Sequence, residues 1–248
     1  MEPAEVRVNK DLHTMMGQLV PLPRPGGLAI SVTDAAAEYI RQLIFAGRLR
    51  GGARVPQDEI AAALGCSRVP VREALIALER EGWVTIRANR GVYVAELTVG
   101  AISDHYELIG FTYGLAARRA VANGPKVLSE QLQAISRGLS NTDDLSQFNE
   151  SALAFHAAVV RAAASPRVRA VLRSTSGFVP GNFFSHIPGA AAVERRGTTA
   201  VRRAITAGDG ERAAEEYLKM LRRHGEMVID VLDQRGYFDL RSSGAIDE

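Results

Sequence analysis

Apolar residues recur at three- and four-residue intervals between Gln57 and Leu78, with an interruption at Gly65. This spacing places them on one face of a helix, so the pattern predicts two short helices separated by a tight turn. Glycine closes the first helix cheaply because it adopts a left-handed backbone. The predicted apolar stripes are Ile60, Ala61 and Leu64, and then Val71, Ala74, Leu75 and Leu78. Such a pair is a helix-turn-helix, whose second helix enters the major groove of DNA.

The second helix carries its own start signals and a polar outer face. Ser67 offers a hydroxyl that can cap its N-terminus. Pro70 falls in the first turn, where a missing N–H costs nothing. The charged side chains that lie off the apolar stripe are predicted to face outward: Arg68, Arg72, Glu79 and Arg80.

A β-hairpin is predicted directly after this helix. Trp83 to Arg87 alternate as a strand, Asn89-Arg90-Gly91 supplies turn chemistry, and Val92 to Ala95 form the returning strand. Beside a helix-turn-helix this hairpin is a wing, and arginines at its tip can reach a minor groove or flanking phosphates. The alternative is a three-helix bundle whose hairpin has no role, but several independent local signals agree on the winged motif.

Upstream of this motif, Thr33 is predicted to cap a helix that ends near Gly47 and supports the helix-turn-helix. Its apolar face consists of Ala36, Tyr39, Ile40, Leu43 and Ile44. Residues 1–30 are rich in proline and glycine and show little periodicity, which predicts a flexible arm. Arg7, Lys10 and Arg24 could contact phosphates from this arm, or the arm could be a leader without a role.

The rest of the chain shows only helical periodicity. Thr98 can cap a helix over about 99–122, and further helices are predicted over 125–139, 144–164, 166–178, 191–207 and 209–234, with a kinked connection at 177–190. Because no strand pattern follows residue 95, a six- or seven-helix bundle is expected. The predicted fold is mainly α: an N-terminal winged helix-turn-helix and an all-α bundle. The predicted parts are an arm (1–30), a winged domain (31–96), a helical domain (97–240) and a tail (241–248).

Composition narrows the class of protein. The formal net charge is only +2, so DNA affinity must come from a local patch of arginines rather than a global basic field. Candidates for this patch are Arg48, Arg50, Arg54, Arg68, Arg72, Arg87 and Arg90. The single cysteine, Cys66, excludes an internal disulfide, and packing is favoured over redox sensing for it. Without an apolar run of membrane length or a secretory signal, a soluble, cytoplasmic protein without membrane contact is expected.

A long motif in the second helix resembles a known family. Residues 67–82 read Ser-Arg-Val-Pro-Val-Arg-Glu-Ala-Leu-Ile-Ala-Leu-Glu-Arg-Glu-Gly, which is similar to the pattern SR-x-PVREAL-x-x-LE-x-EG of the GntR transcriptional regulators. The segments Gly52-Ala53-Arg54-Val55 and Asn89-Arg90-Gly91-Val92-Tyr93-Val94 also fit, so the resemblance covers about residues 33–96. The remaining chain resembles the all-helical effector domain of the FadR/FCD branch.

The resemblance implies that Ser67, Arg68 and Arg72 are the main operator contacts and that Gly91 lets the wing approach DNA closely. With the patch and wing arginines, the full set of predicted DNA-binding residues is Arg54, Ser67, Arg68, Pro70, Arg72, Arg87, Arg90 and Gly91. Arg68 is the best candidate for a bidentate contact to a guanine edge. Arg72 could read a base, hold a phosphate, or pair with Glu73 or Glu79. Family members often carry an arginine near Asp58 for a backbone contact, and an acid at this position puts that contact in doubt.

The helical domain is also compared with metal-binding FCD domains. His156, in Phe155-His156, matches one usual metal ligand, but the companion positions fall on Ala152, Thr198 and Met220. His224 lies one turn beyond Met220 and could substitute. A Zn²⁺ or Ni²⁺ site using His156 and His224 at most is therefore disfavoured, and the alternative is a buried, hydrogen-bonded histidine.

Residues on the same predicted face suggest a different ligand. The candidate effector-binding residues are Ile109, Tyr113, Ala152, His156, Thr198, Met220 and His224, a mostly apolar set with a few hydroxyls. The hypothesis is a metal-free organic effector with an apolar part. The competing interpretation is that these side chains form ordinary core packing without a pocket.

The sequence leaves three possible functions for this protein. The favoured one is a ligand-responsive transcriptional regulator, most often a repressor, which acts as a homodimer on a pseudo-palindromic operator in double-stranded DNA. An enzyme is disfavoured because the sequence shows no nucleophile–base spacing, paired carboxylates or glycine-rich phosphate loop. An architectural DNA-binding protein without an effector is the remaining alternative.

Overall fold

Ten helices and one β-hairpin make up the regular structure of residues 31–175 and 179–238, the parts of the chain that this computed structural model describes. The helices are α1 (Val32–Phe45), α2 (Gln57–Ala63), α3 (Arg68–Arg80), α4 (Val99–Ala122), α5 (Pro125–Asn141), α6 (Leu145–Ala162), α7 (Pro166–Thr175), α8 (Phe183–His186), α9 (Ala190–Thr206) and α10 (Gly210–Gln234). The strands are β1 (Val84–Arg87) and β2 (Gly91–Val94). The predicted arm (1–30) and tail (241–248) lie outside the described residues.

The described residues fold into two compact units. One contains residues 31–97 with 179–181, and the other contains residues 98–175 with 182–238. In the described part of the chain, no helix has the length and apolarity that crossing a membrane would require.

The first unit is a winged helix-turn-helix. Helix α1 packs against α3, and α2 also packs against α3. The predicted inward stripe of α3 is confirmed, since Val71, Ala74, Leu75 and Leu78 are all buried. Gly65 in the turn has a φ of 60°, the left-handed conformation expected at the end of α2. Strands β1 and β2 pair antiparallel, with Val84 opposite Val94 and Arg87 opposite Gly91.

Three details of the first unit differ from the prediction. Ser31, and not Thr33, caps α1: its hydroxyl accepts a hydrogen bond from the Asp34 N–H, because α1 begins at Val32, two residues earlier than a Thr33 cap would allow. Ser67 occupies the cap position of α3, but its side chain makes no capping hydrogen bond. Burial along β1 does not alternate, because Ile86 is exposed in this two-stranded sheet.

The second unit is a helical bundle, as the periodicity predicts, and it is built around α4 and α10. Thr98 caps α4 through a 3.1 Å hydrogen bond from the Ala101 N–H. Gly110 and Gly114 of α4 face the backbone of α10, and this lets the two helices approach closely. Helix α9 packs on α10 and on α5. The short helix α8 lies inside the segment for which a kinked connection is predicted.

Candidate nucleic-acid interface and buried carboxylate site

The first candidate site is the outer face of α3. Because the apolar stripe points inward, the N-terminal turn presents Arg68 and Val69 to solvent, and Arg72 follows one turn later. The Arg68 side chain is 61% exposed, which leaves its guanidinium accessible to a base edge. Solvent exposure on the first turns of a recognition helix is the arrangement that reading a major groove requires.

Arg68 is held by an acid of the preceding helix. Its guanidinium forms an ion pair with Asp58, at the start of α2. The sequence identified Asp58 as unfavourable for a phosphate contact but did not predict this pairing. Both side chains are more than half exposed, so the pair orients Arg68 with little net stabilisation of the fold.

Arg72 has no ion pair with any residue in the described ranges, and its two possible partners are engaged elsewhere. Glu73 Oε2 accepts a 2.9 Å hydrogen bond from the Thr33 hydroxyl. Glu79 Oε1 accepts a 2.8 Å hydrogen bond from the Ile86 N–H and so ties α3 to β1. The suggested pairing of Arg72 with Glu73 or Glu79 is therefore wrong, and the guanidinium is available for a phosphate or a base.

The wing presents two arginines at its turn. The Arg87 guanidinium lies 4.6 Å from the centre of the Tyr93 ring, a cation–π contact that fixes its position. Arg90 is exposed in the turn, and its carbonyl accepts a 3.0 Å hydrogen bond from the Tyr93 hydroxyl. Tyr93 therefore braces both arginines from one side chain.

Arg54 lies across the base of the wing. Its backbone bridges Tyr93, and the N–H of Val55 donates to the Val92 carbonyl, so this segment extends the hairpin as a third edge. Gly91 has a φ of 105°, and a Cβ there would lie 3.0 Å from Arg54 Nε. Glycine at position 91 thus leaves room for the Arg54 guanidinium.

A groove of about 590 Å³ lies beside these residues. Its charged lining consists of Arg48, Arg54, Arg68, Arg72, Asp58 and Glu59. The structure therefore brings together four arginines of the predicted patch: Arg48, Arg54, Arg68 and Arg72. Ser67, Pro70, Arg87, Arg90 and Gly91 do not line this groove. Guanidinium groups gathered along a groove suit the phosphates of a nucleic-acid backbone.

The second candidate site is a buried carboxylate between two histidines. Glu194 of α9 is 1% exposed. Its Oε1 lies 2.9 Å from His156 Nε2, and its Oε2 lies 3.8 Å from His224 Nε2. Neither Glu194 Oε1 nor His224 Nε2 makes a hydrogen bond to another described atom, so these contacts are electrostatic and lack hydrogen-bond alignment. Two unsatisfied buried polar atoms in one site are costly unless something else binds them.

Electrostatics favour a charged Glu194 and a neutral His224. Burial alone would raise the pKa of Glu194, but the neighbouring His156 and His224 outweigh burial and lower it. Burial lowers the pKa of His224, and the opposing attraction of Glu194 does not reverse this. Burial, with a smaller contribution from Glu194, raises the pKa of Tyr113 to about 12. The site therefore holds an anionic carboxylate beside a neutral imidazole and a neutral phenol.

Aromatic rings surround this carboxylate. The Tyr113 ring stacks on Tyr217 with centroids 5.2 Å apart and lies 5.0 Å from the His156 ring. The Tyr217 hydroxyl is 3.3 Å from His156 Nδ1. The Phe183 ring of α8 lies 5.0 Å from His224.

The structure separates the predicted effector-binding residues into two groups. Tyr113, His156 and His224 gather around Glu194. Thr198 instead donates its hydroxyl to the backbone carbonyl of Glu194, at 2.7 Å. The buried Met220 and Ala152 occupy core positions, and Ile109 is half-buried. Neither Ile109 nor Ala152 has a polar group that could bind the carboxylate.

Sequence reasoning missed Glu194 itself. The segment Ala-Ala-Val-Glu-Arg-Arg is typical of a solvated helix face. Its burial could have been predicted from its place on the inward stripe of α9. The other residues of this stripe are also buried: Ala190, Thr198, Val201 and Ile205.

These side chains do not fit a divalent metal site of the kind that the family resemblance suggested. Such a site needs several nitrogen and oxygen ligands that converge on one point. Within residues 31–175 and 179–238, no group of three or more His, Cys, Asp and Glu side chains could hold a metal ion. Each oxygen of Glu194 faces one histidine instead, and Thr198 uses its hydroxyl on the backbone.

Comparisons with known proteins cover both units. The family described as "Bacterial regulatory proteins, gntR family" matches residues 32–94, and the FCD domain family matches residues 110–224. An uncharacterized HTH-type transcriptional regulator of Mycobacterium tuberculosis is 36% identical over 160 residues. That alignment covers 64% of this chain and 66% of the relative, so it spans slightly less than two thirds of the relative's length.

A second relative and a solved structure agree with these matches. A protein of Paenarthrobacter nicotinovorans named "Probable D-xylose utilization operon transcriptional repressor" is 32% identical over 135 residues, covering 54% of this chain and 60% of the relative. A crystal structure titled as a transcriptional regulator GntR from Rhodococcus sp. RHA1 superposes with a TM-score of 0.51 and 25% identity. It covers 81% of this chain and 99% of that one.

Proposed function

This chain belongs to the GntR family of bacterial regulatory proteins and carries an FCD domain, and from that premise we propose that it regulates transcription by binding an operator. The observation that carries the proposal is the outward presentation of Arg68 and Arg72 on α3, beside a groove lined by Arg48 and Arg54. Repression is the proposed mode, because a relative is named as a repressor.

The proposed recognition divides the work between two sets of contacts. Arg68, at the N-terminal turn of α3, reads a base edge, and the two donors of its guanidinium match the two acceptors of guanine. Arg72, Arg54 and the wing arginine Arg90 hold phosphates and set the register. Engaging DNA requires Arg68 to leave or share Asp58, a modest cost because this ion pair is exposed.

We propose a homodimer on a pseudo-palindromic operator because a single recognition helix contacts a short stretch of DNA. One recognition helix covers only a few base pairs, so a selective site needs two copies of the helix. Because binding of each half-site is weak alone, separating the two copies removes most of the operator affinity.

The proposed effector is a metal-free organic molecule that binds next to Glu194. Its apolar part would contact Tyr113 and Phe183, and its hydroxyl or amine would serve Glu194 Oε1 and His224 Nε2, which have no hydrogen bond of their own among the described residues. Such a ligand gains affinity because it satisfies polar atoms that burial leaves unpaired. If it binds one arrangement of the dimer better than another, it shifts operator affinity by that difference.

Selection of bound duplexes from a random pool tests the DNA-binding proposal. We expect enrichment of one short symmetric sequence, and Arg68→Ala should lose discrimination at one position of each half-site, at a cost of about 1–3 kcal/mol. Arg90→Ala should weaken binding more evenly across sequences. Arg137→Ala, on α5 and outside the winged unit, is the matched control. Salt-sensitive binding to all duplexes alike would instead indicate an architectural protein.

A thermal-shift screen of small acids and lipids, combined with metal analysis, tests the effector proposal. A ligand should raise the melting temperature of the purified protein and should lose this effect in Glu194→Gln. Stoichiometric zinc or nickel in the purified protein would overturn the metal-free site.

A further inference from the structure

Helix α4 carries an apolar stripe that its own chain leaves exposed. Leu108, Phe111 and Leu115 are 60%, 54% and 37% exposed, and their spacing places them on one helix face. A different face packs on α10 through Gly110 and Gly114. Three large apolar side chains in a row on an otherwise well-packed helix indicate a surface that a partner covers.

The charged residues of this helix fall into two classes. Glu107 and Arg118 are ion-paired within the chain, with Arg222 and Glu211 of α10. Asp104 and Arg119, by contrast, are exposed and form no ion pair with any residue of the described segments. Asp104 lies one turn before Leu108, and Arg119 lies one turn after Leu115. An unpaired acid and an unpaired arginine therefore bound the apolar stripe at its two ends.

The apolar stripe of α4 and its two flanking charges are complementary to the same surface of a second copy of the chain. If two copies of α4 run antiparallel about a twofold axis between Phe111 and Thr112, residues equally distant from the axis face each other. Leu108 then meets Leu115, and Asp104 meets Arg119, twice in each pair of helices. We infer that the partner for this surface is a second copy of the chain, docked through α4 in this antiparallel register. The inference rests on the homodimer of the proposed function and names its interface.

The symmetry argues for this occupant over another protein. Any partner could cover the leucines and Phe111, but a second copy related by a twofold axis already carries the arginine that faces Asp104 and the acid that faces Arg119. Central aromatic residues flanked by charges also match the usual organisation of an interface, with an apolar core and a polar rim.

Charge inversion in the full chain tests the register. Sedimentation velocity without DNA should show a dimer for the unsubstituted protein. Asp104→Arg and Arg119→Asp should each weaken dimerisation by roughly tenfold, because each places two like-charge contacts in the interface. The double variant exchanges the charges and should restore the dissociation constant to within about threefold of the original. Failure of the double variant to recover would overturn the proposed register.

Phe111→Glu tests the surface itself, and it should raise the dissociation constant by roughly a hundredfold. Val127→Glu is the matched control, because Val127 is 76% exposed on α5, and it should leave the dimer intact. If Phe111→Glu remains as dimeric as the control, α4 is not the interface. Operator binding by the unsubstituted chain is measured in parallel, and this separates a wrong interface from a wrong function. If the protein binds the operator as a dimer and Phe111→Glu remains dimeric, only the proposed interface is contradicted.

Discussion

Glu194 Oε1 lies 2.9 Å from His156 Nε2 in a part of the bundle where the glutamate is 1% exposed. A carboxylate at such depth is strongly destabilising unless it keeps an oppositely charged or polar neighbour. Here the neighbours are His156 and His224, and they hold the pKa of Glu194 down despite burial. The stability of the helical unit and the chemistry of its candidate site therefore depend on the same side chain.

Removing this carboxylate should destabilise the protein. Glu194→Ala leaves a cavity and removes the acid beside the buried His224 and the half-buried His156, and we expect a loss of about 3–5 kcal/mol in the free energy of unfolding. Glu194→Gln keeps the shape and one acceptor, so its cost should be smaller, about 1–3 kcal/mol. Urea unfolding followed by circular dichroism measures both. Equal midpoints for Glu194→Ala and the unsubstituted protein would contradict the proposed importance of the pair.

Stability should fall as the pH falls below about 6.5. Burial lowers the pKa of His105 from 6.5 to about 4, and it lowers the pKa of His224 as well. The unfolded chain therefore binds these protons first, so the contribution of both histidines is complete above the ordinary histidine pKa and is lost as the pH falls through the folded-state values. His105 alone accounts for roughly 3 kcal/mol at most.

Glu194 acts in the same direction at more acidic pH. Its pKa is lowered in the fold, so its contribution is present above the ordinary value of 4.5 and is lost as the pH falls through the lowered one. Unfolding midpoints measured from about pH 8 to about pH 2 check this behaviour. His105→Gln should flatten the part of the curve between pH 6.5 and about 4, and an unchanged slope in that variant would refute the assignment.

Neutralising Asp58 should strengthen DNA binding. Asp58→Asn releases Arg68 from its ion pair and removes a negative charge from the arginine-lined groove. We expect affinity for the selected operator to rise several-fold and the salt dependence to steepen, because one more cation becomes available to the DNA. Fluorescence anisotropy over a series of salt concentrations measures both. Glu130→Gln, an exposed acid on α5, is the control, and an equal gain there would mean that net charge alone is responsible.

The close approach of α4 and α10 gives a prediction about packing. A Cβ at position 110 would lie 2.9 Å from Leu218 Cδ1 and 3.1 Å from Leu218 Cα. Gly110→Ala should therefore cost about 1–3 kcal/mol, because the backbone of α10 has to move. Gly100→Ala in the same helix meets nothing closer than 3.9 Å and should instead stabilise by about 0.5–1 kcal/mol. Urea midpoints of the two variants should move in opposite directions.

Most element boundaries are predictable because local chemistry sets them. Thr98 at the start of α4, Pro125 and Pro166 at the starts of α5 and α7, and Asp209 before α10 act through contacts within one or two turns. The cap of α1 is harder to predict, because Ser31 and Thr33 are chemically equivalent as caps. Only the position where the helix begins distinguishes them, and Thr33 bonds instead to Glu73, forty residues along the chain.

The candidate sites are less predictable because they depend on contacts between distant segments. The exposed face of α3 follows from periodicity, but the pairing of Arg68 with Asp58 depends on how α2 meets α3. Glu194 has a sequence context typical of a solvated face, and its burial follows from α6 and α10 bringing His156 and His224 to it. Periodicity can place a residue on a face, but it cannot show which side chain of another helix will meet it.

The glycine contacts restrict how the helical unit can respond to a bound molecule. A one-residue screw motion of α4, which combines a shift with a rotation, would bring Ile109 or Phe111 against Leu218, where even a Cβ would lie 2.9 Å from Cδ1 and 3.1 Å from Cα. A one-turn ratchet would exchange Gly110 and Gly114 but would force Tyr106 or Arg118 into the other contact. Relative translation of α4 and α10 therefore meets side chains at the glycine contacts, whereas a joint tilt of the two helices preserves these contacts.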